Sequence, residues 1–384
     1  MASINFSVTP LFEMSTDDWN STNNESVWPL FEMSTVELNS ANNDSVWSEA
    51  TTRLTDQSSV DQGLVSPESY FSFLDNSRYF MYSLTFLAFL FCGFGVVIYS
   101  TKRMRSPTSI YLLAVNLTEL ANVVINMVTE TTGITYGDKA SYSLIHQSIY
   151  FYLNVYLGTS VRRTTFWLSC LLSAERCIAV CYPLKFKYFK LVRYPVVTAI
   201  TVTLSSVLFH IFVPLKYFLS PFPSKNSNAT LWKLQPTESF VRDRAAYEAM
   251  SIASKVLFVV LPLLGCLIFN FIIVVALRVH TKTRVAMTGS VGIKANNNDR
   301  KTTITVLAST FVLVIMALPS NITSFIANVA EELQMKELYF FLVFRRIGTL
   351  CELVSNCVGF IVYMTLSAEF RKTFSHIFCS CRSK

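Results

Sequence analysis

Seven runs of apolar residues, each long enough to cross a lipid bilayer, limit what this chain can become. They occupy residues 79–99, 109–129, 149–174, 195–215, 251–277, 303–329 and 340–365. A helix rises about 1.5 Å per residue and a hydrocarbon core is about 30 Å thick, so roughly 20 residues cross it. No water reaches that core, so the backbone must satisfy itself, and continuous runs of this length do so as helices. Charges inside the runs are few: Glu119 in the second, Arg162 and Arg163 in the third, Lys255 in the fifth, Arg345, Arg346 and Glu352 in the seventh. The expected fold class is an all-α membrane protein, a seven-transmembrane helix bundle. Only 15% of residues are charged, against about 25% in soluble proteins. A soluble enzyme and a nucleic-acid binder are both excluded, the net charge of +7 notwithstanding.

Charge sets the topology. Residues 100–107, 177–194, 278–302 and 366–384 hold 17 of the 32 Lys and Arg residues, with Asp299 and Glu369 as their only acids. Residues 1–77 hold twelve acids and one base, Arg53. The positive-inside rule puts the basic segments in the cytoplasm and the N-terminus outside. The expected location is the plasma membrane, with several passes. Glycosylation sequons at Asn5, Asn20, Asn24, Asn43 and Asn228 fall on the outer side. Sequons at Asn116 and Asn321 lie inside spans, beyond the reach of a glycosyl transferase. The first 30 residues contain no signal-peptide pattern, and the first span is expected to act as the signal anchor.

Three domains follow: an outer tail over 1–77, the membrane bundle over 78–365, and a cytoplasmic helix and tail over 366–384. The tail is rich in Ser, Thr, Asn and acids and reads as disordered and glycosylated. It holds a tandem duplication, PLFEMSTDDWNSTNNESVW over 10–28 and PLFEMSTVELNSANNDSVW over 29–47, matching at 14 of 19 positions. Two copies are too few for a self-supporting array. They form a stalk, or a pair of aromatic-acidic motifs that touch a ligand or partner. None of the nine cysteines lies in an outer segment, so no extracellular disulfide framework exists. Residues 367–378 set Phe370, Phe374 and Phe378 at four-residue spacing, an amphipathic helix on the inner leaflet. Cys379 and Cys381 just beyond it are candidate palmitoylation sites, or unmodified thiols.

Several motifs then resemble the rhodopsin-like G-protein-coupled receptors, over residues 79 to about 380. KRMRSPTSIYLLAVNLTEL (102–120) resembles the first inner loop and second helix, with Glu119 as the core polar residue in place of an Asp. Glu175-Arg176-Cys177 resembles the Asp/Glu-Arg-Tyr triplet closing the third helix, and Pro183-Leu184 the pair that follows it. Pro262 and Pro319 match the kinking prolines of helices five and six. Tyr363 with Phe370-Arg371 resembles the end of helix seven and the eighth helix. The family also departs here: Phe151 stands where its disulfide cysteine belongs, Ala317 replaces the tryptophan before Pro319, and Gly359-Phe360 replaces the Asn-Pro pair.

The resemblance implies a receptor that binds an extracellular ligand and activates a heterotrimeric G protein. It implies that Arg176 is held by an acid, Glu175 or Asp299, until the helices part. Tyr363 belongs to the same switch. Prolines 262 and 319 each remove a backbone bond mid-helix and bend it, which lets the inner half of the sixth span swing. Arg162 lies 14 residues before Arg176, so both share a face about 21 Å apart. The same arithmetic puts Glu352 on the face of Tyr363 and Glu130 on the face of Glu119, with Lys255 two turns outward of Pro262. Glu130, Arg162, Lys255 and Glu352 are the ligand-pocket candidates, unless Arg162 and Glu352 simply pair to hold two spans together.

Both charge signs in that region suit a zwitterion or a peptide terminus, and the acidic tail steers basic ligands inward. The MRSPTSIYLL run and Pro319-Ser320-Asn321-Ile322 resemble FMRFamide-type neuropeptide receptors of invertebrates. The Glu-Arg-Cys triplet with PLKFK resembles divergent molluscan chemosensory receptors. The expectation taken forward is a neuropeptide ligand, with a small-molecule chemosensory ligand as the alternative. The seventh span has no lysine for a retinal Schiff base, and no His or acid cluster suits a metal hydrolase. No cofactor and no catalytic residue are expected. A transporter would show repeated halves, which are absent from the spans; a non-signalling decoy with the same fold is the other alternative.

Overall fold

A computed structural model describes residues 66–104, 106–136, 143–223, 230–288, 297–329 and 338–378. The duplicated tail, the sequons at Asn5, Asn20, Asn24, Asn43 and Asn228, and Cys379 and Cys381 lie outside the described residues. So does the side chain of Asp299, whose backbone falls in the first turn of the helix Asn297–Val329.

Among the described residues seven helices are long and apolar enough to cross a membrane. They are Tyr79–Tyr99, Pro107–Thr135, Leu144–Cys181, Pro195–Phe212, Arg244–Val279, Thr302–Thr323 and Tyr339–Leu366, referred to below as spans 1 to 7. Each contains one of the apolar runs almost whole. Spans 4, 5 and 6 expose rows of large apolar side chains, among them Ile200, Leu204 and Leu208, Leu264, Ile268 and Phe271, and Phe311, Ile315 and Ile322. Such faces are stable only against hydrocarbon.

The helix ends differ from the apolar runs where local chemistry overrides composition. The first helix begins at Pro67, where Ser66 caps it by accepting from the Ser69 N–H and Pro67 sits in its first turn. The third span runs from Leu144 and passes through a π-helical stretch, Ile149–Gly158. Between the fourth and fifth apolar runs the described residues form regular structure. Strands β1 (Tyr217–Pro223) and β2 (Thr230–Pro236) form an antiparallel hairpin in which Tyr217 faces Pro236. A short helix Glu238–Arg242 follows, capped by Thr237, and the helix carrying span 5 already starts at Arg244. The hairpin marks one end of the bundle and the terminal helix Ala368–Phe378 marks the other.

No disulfide holds the hairpin, and aromatic packing takes its place. Phe151, at the position where the resembled family has its cysteine, is fully buried. Its ring meets Tyr217 of β1 edge-on at 6.0 Å, Tyr217 meets Phe240 at 5.5 Å, and Phe240 meets Tyr247 of span 5 at 5.4 Å. Edge-to-face pairs of this kind add about 0.5–1.5 kcal/mol each beyond the area they bury. At the other end Phe370, Phe374 and Phe378 do not simply lie on a leaflet. Phe370 is buried against Tyr99, Phe360 and Tyr363, and Phe374 and Phe378 pack on Phe94 of span 1. Arg371 donates to the last carbonyls of span 7, at Met364 and Thr365, the favourable position for a cation at a helix C-terminus.

Both prolines leave a carbonyl without its helical donor, and span 5 shows the repair. A π-helical stretch, Val256–Val260, precedes Pro262, with the Leu261 N–H reaching back to the Val256 carbonyl. In that register the next donor would be residue 262, which has no N–H. The orphaned carbonyl of Leu257 accepts instead from the Trp167 indole N–H of span 3 at 3.1 Å. Span 6 continues through Pro319, and Gly348 of span 7 lies directly against the residue after it. A Cβ on Gly348 would fall 2.6 Å from the Ser320 Cβ and 2.9 Å from its backbone nitrogen. Gly348→Ala is therefore expected to wedge spans 6 and 7 apart and lower stability by about 1–3 kcal/mol. Gly359→Ala, where a Cβ meets nothing within 4 Å, is expected to gain about 0.5–1 kcal/mol. Thermal unfolding of the two variants in detergent checks the contrast; equal melting temperatures would refute it.

Candidate functional site

Arg176, near the terminal-helix end of span 3, sits beside Glu175 in a bidentate pair. Its Nε and one terminal nitrogen donate to the two carboxylate oxygens at 2.6 and 2.7 Å. The Glu175 side chain is 0% exposed and that of Arg176 12%. Thr108, in the first turn of span 2, completes the cluster. Its hydroxyl lies 3.1 and 3.2 Å from the two Glu175 oxygens and accepts from Arg176 as well. A buried charge pair is tolerated only when its remaining lone pairs and protons are satisfied, and Thr108 provides that from a neighbouring helix. Of the two acids expected for Arg176, Glu175 is in contact, and the side chain of Asp299 lies outside the described residues.

Tyr363 stands on the same side of the bundle. Its hydroxyl lies 3.0 Å from the Ser309 hydroxyl, joining span 7 to span 6, and its ring meets Tyr99 edge-on. Towards the middle, Glu119 lines a small cavity of mixed character, with Asn116, Ser169, Ser309, Ser355 and Tyr363 on its polar side and Leu112, Leu172 and Phe360 on its apolar side. A carboxylate among hydroxyls and an amide is a hard-oxygen donor set, suited to a proton, a water chain or a small cation. No group of three or more His, Cys, Asp or Glu residues gathers in a metal-holding arrangement among the described residues. Asn116 closes locally, donating to the Leu112 carbonyl at 2.8 Å.

The four pocket candidates lie towards the hairpin end, and partners are seen for Glu130, Glu352 and Arg162. Glu130 of span 2 pairs with Arg346 of span 7 at 3.3 Å. Glu352 accepts from Ser320 of span 6 at 2.8 Å. Arg162 makes long contacts, 3.5 Å to the Asn122 side chain and 3.4 Å to Thr159. Lys255 of span 5 lies within electrostatic range of Arg163, Lys216 and Arg345. The pair anticipated between Arg162 and Glu352 does not form. Glu352 turns one way to span 6, and Arg162 turns the other way to span 2. Arg163, the next residue of span 3, is half-buried.

Sequence reasoning missed Thr108, Ser320 and the pairing of Arg346 with Glu130. Thr108 is 67 residues from Glu175, and one hydroxyl in a helical first turn carries no pattern. His210 also anchors this end. It is buried, sits 2.7 Å from the Ser206 carbonyl through Nδ1, and meets the Ser254 hydroxyl at 2.7 Å through Nε2, tying span 4 to span 5.

The Glu175–Arg176 pair gives a direct expectation. Glu175→Leu leaves a guanidinium buried without its counter-charge and is expected to cost about 3–5 kcal/mol. The double change Glu175→Leu with Arg176→Met should recover most of that loss. A double-mutant cycle read by thermal unfolding decides; additive costs would mean that the pair contributes nothing as a pair.

Comparison with known proteins agrees with this geometry. The model of the family described as "Serpentine type 7TM GPCR chemoreceptor Srw" matches residues 79–381. No curated protein matches the chain. Among solved structures, squid rhodopsin superposes with a TM-score of 0.60 at 14% sequence identity, over 85% of this chain and 89% of that one. At that identity the likeness is one of fold. The family match covers all seven spans and the terminal helix, and the chain belongs to the Srw family of serpentine, seven-transmembrane G-protein-coupled chemoreceptors.

Proposed function

We propose that the chain is a plasma-membrane chemosensory receptor. It takes an extracellular ligand into the charged region between spans 2, 3, 5 and 7 and activates a heterotrimeric G protein at the terminal-helix end. The observation that carries this reading is the Glu175–Arg176–Thr108 cluster, a buried charge pair latched to a second helix at the basic end of the bundle. The family description supports the chemosensory ligand over the neuropeptide one. The neuropeptide reading keeps the support of the MRSPTSIYLL run and of Pro319-Ser320-Asn321-Ile322.

In this reading the N-terminal tail lies outside and carries glycans at Asn5, Asn20, Asn24 and Asn43, with a further glycan at Asn228, which lies between the two strands in sequence. The terminal helix lies at the cytoplasmic face, anchored by palmitoyl groups on Cys379 and Cys381. Separation of span 6 from span 7 breaks the Tyr363–Ser309 contact. Arg176 leaves Glu175, and the freed guanidinium meets the G protein. Thr108 sets the resting bias, because it bonds both members of the pair only while span 2 and span 3 stay in register.

Expressed in cells, Arg176→Ala is expected to abolish ligand-induced G-protein activation at unchanged surface expression. Thr108→Ala removes about 1 kcal/mol from the resting state and should raise ligand-independent activation roughly fivefold. Nucleotide exchange on the G protein measures both. Undiminished signalling by the Arg176 variant would sink the switch assignment. A well-expressed chain that activates no G protein, even with inner loops exchanged, is the non-signalling decoy.

A further inference from the structure

We infer that the Glu130–Arg346 pair is the recognition site for the head group of a free α-amino acid, with Arg346 taking the carboxylate and Glu130 the ammonium. The inference deepens the receptor reading above and rests on it for the side from which the ligand arrives. Its basis is an ion pair that leaves the carboxylate-binding edge of a buried guanidinium unused.

The chain itself shows what a closed pair looks like. Glu175 and Arg176 meet through two bonds of 2.6 and 2.7 Å, and Thr108 bonds both. Glu130 and Arg346 meet through one contact of 3.3 Å, from Nη1 to Oε1, against about 2.7–2.9 Å for a charge-assisted bond. The Nε–H of Arg346 is buried and meets no acceptor among the described residues. Nε and the other terminal nitrogen, Nη2, form the edge that takes a carboxylate through two parallel bonds. A buried donor without an acceptor is costly, the more so on a charged group, and a ligand carboxylate on that edge removes the cost.

The surroundings leave a way to reach it. Spans 2 and 7 each pack on span 1, while their own backbones come close at few points among the described residues. The ion pair therefore bridges a cleft between them. Glu130 lies in the last turns of span 2 and Arg346 two turns into span 7, so both stand near the hairpin end. Their side chains are 27% and 15% exposed, whereas Glu175 is sealed. Tyr339 precedes Arg346 by seven residues, which puts it on nearly the same face about 10 Å further out. Its ring packs on Tyr70 at 5.6 Å, an aromatic wall on the way in that suits an apolar or aromatic ligand side chain.

Charge selects a zwitterion. The pair is neutral, so a simple anion on Arg346 would face Glu130, and a simple cation on Glu130 would face Arg346. Such repulsion is strong where water is scarce. A zwitterion meets both signs and adds no net charge at membrane depth. Glu130 accepts from Arg346 through one oxygen, which leaves the other for an ammonium. The two charges of an α-amino acid are carried on one carbon, matching side chains already 3.3 Å apart. A γ-amino acid spreads them too far.

The test uses the full chain in nanodiscs of phosphatidylcholine, with thermal unfolding as the readout. The probes are L-phenylalanine, L-leucine and L-alanine, the decarboxylated and N-acetylated forms of each, and γ-aminobutyrate. At least one of the α-amino acids is expected to raise the melting temperature saturably by a few degrees. The forms lacking one charge, and γ-aminobutyrate, should leave it unchanged. The rise should vanish in Arg346→Gln and persist in Arg242→Gln, whose side chain is 79% exposed. Where Arg346→Gln fails to fold, Arg346→Lys keeps the charge and loses the two-bond edge. Affinity roughly tenfold lower is then expected, and unchanged affinity overturns the site. So does the absence of a rise with all three α-amino acids, an equal rise from a form lacking one charge, or a rise that survives Arg346→Gln. No G protein enters the measurement, so failure of this site and failure of the signalling role are read separately.

Discussion

A charge inside a bilayer must find its partner within the protein, and the arrangement of this bundle follows from that demand. Glu175 and Arg176 answer each other, with Thr108 satisfying what remains. Glu130 and Arg346 join span 2 to span 7. Glu352 uses Ser320, and Arg162 uses Asn122. Each pairing crosses from one helix to another, apart from the adjacent Glu175–Arg176 pair, which reaches span 2 through Thr108. Hydrophobic burial brings helices into the membrane but gives little preference for one neighbour over another there, since lipid tails are as apolar as leucine. Polar contacts choose the neighbours.

Proline acts by the same logic on the backbone. Removing the N–H of residue 262 freed a carbonyl that hydrocarbon cannot satisfy, and an indole on span 3 took it up. The break in one helix thereby became a bond between two. Gly348 serves the complementary purpose of letting span 7 touch span 6 at the residue after Pro319. Span 6 packs extensively along span 7, and span 5 along span 3.

The seven spans were legible because length and apolarity are local properties that a bilayer reads directly. The helix ends were less so: the Ser66 cap with Pro67 extended the first helix into residues that composition alone leaves outside. The amphipathic spacing of Phe370, Phe374 and Phe378 predicted a helix correctly but not its partner, since the same pattern fits a lipid surface and the rings of Tyr99 and Phe94. Of the candidate site, the charged positions could be named, whereas their pairings could not. Straight-helix arithmetic put Arg162 and Glu352 together because both face inward. It could not know that Ser320 would claim the carboxylate, or that Arg162 would reach Asn122 of span 2. Pairing depends on how helices turn against each other, and that information is spread over the whole chain.

The aromatic chain from Phe151 through Tyr217 and Phe240 to Tyr247 has a consequence of its own. A disulfide would couple the hairpin to the thiol–disulfide balance of its surroundings, and a reducing medium would release it. Ring packing has no such dependence. The hairpin over this end of the bundle keeps its place whether the surroundings oxidise or reduce, and it loosens only as the hydrophobic effect itself weakens, on cooling or in denaturant.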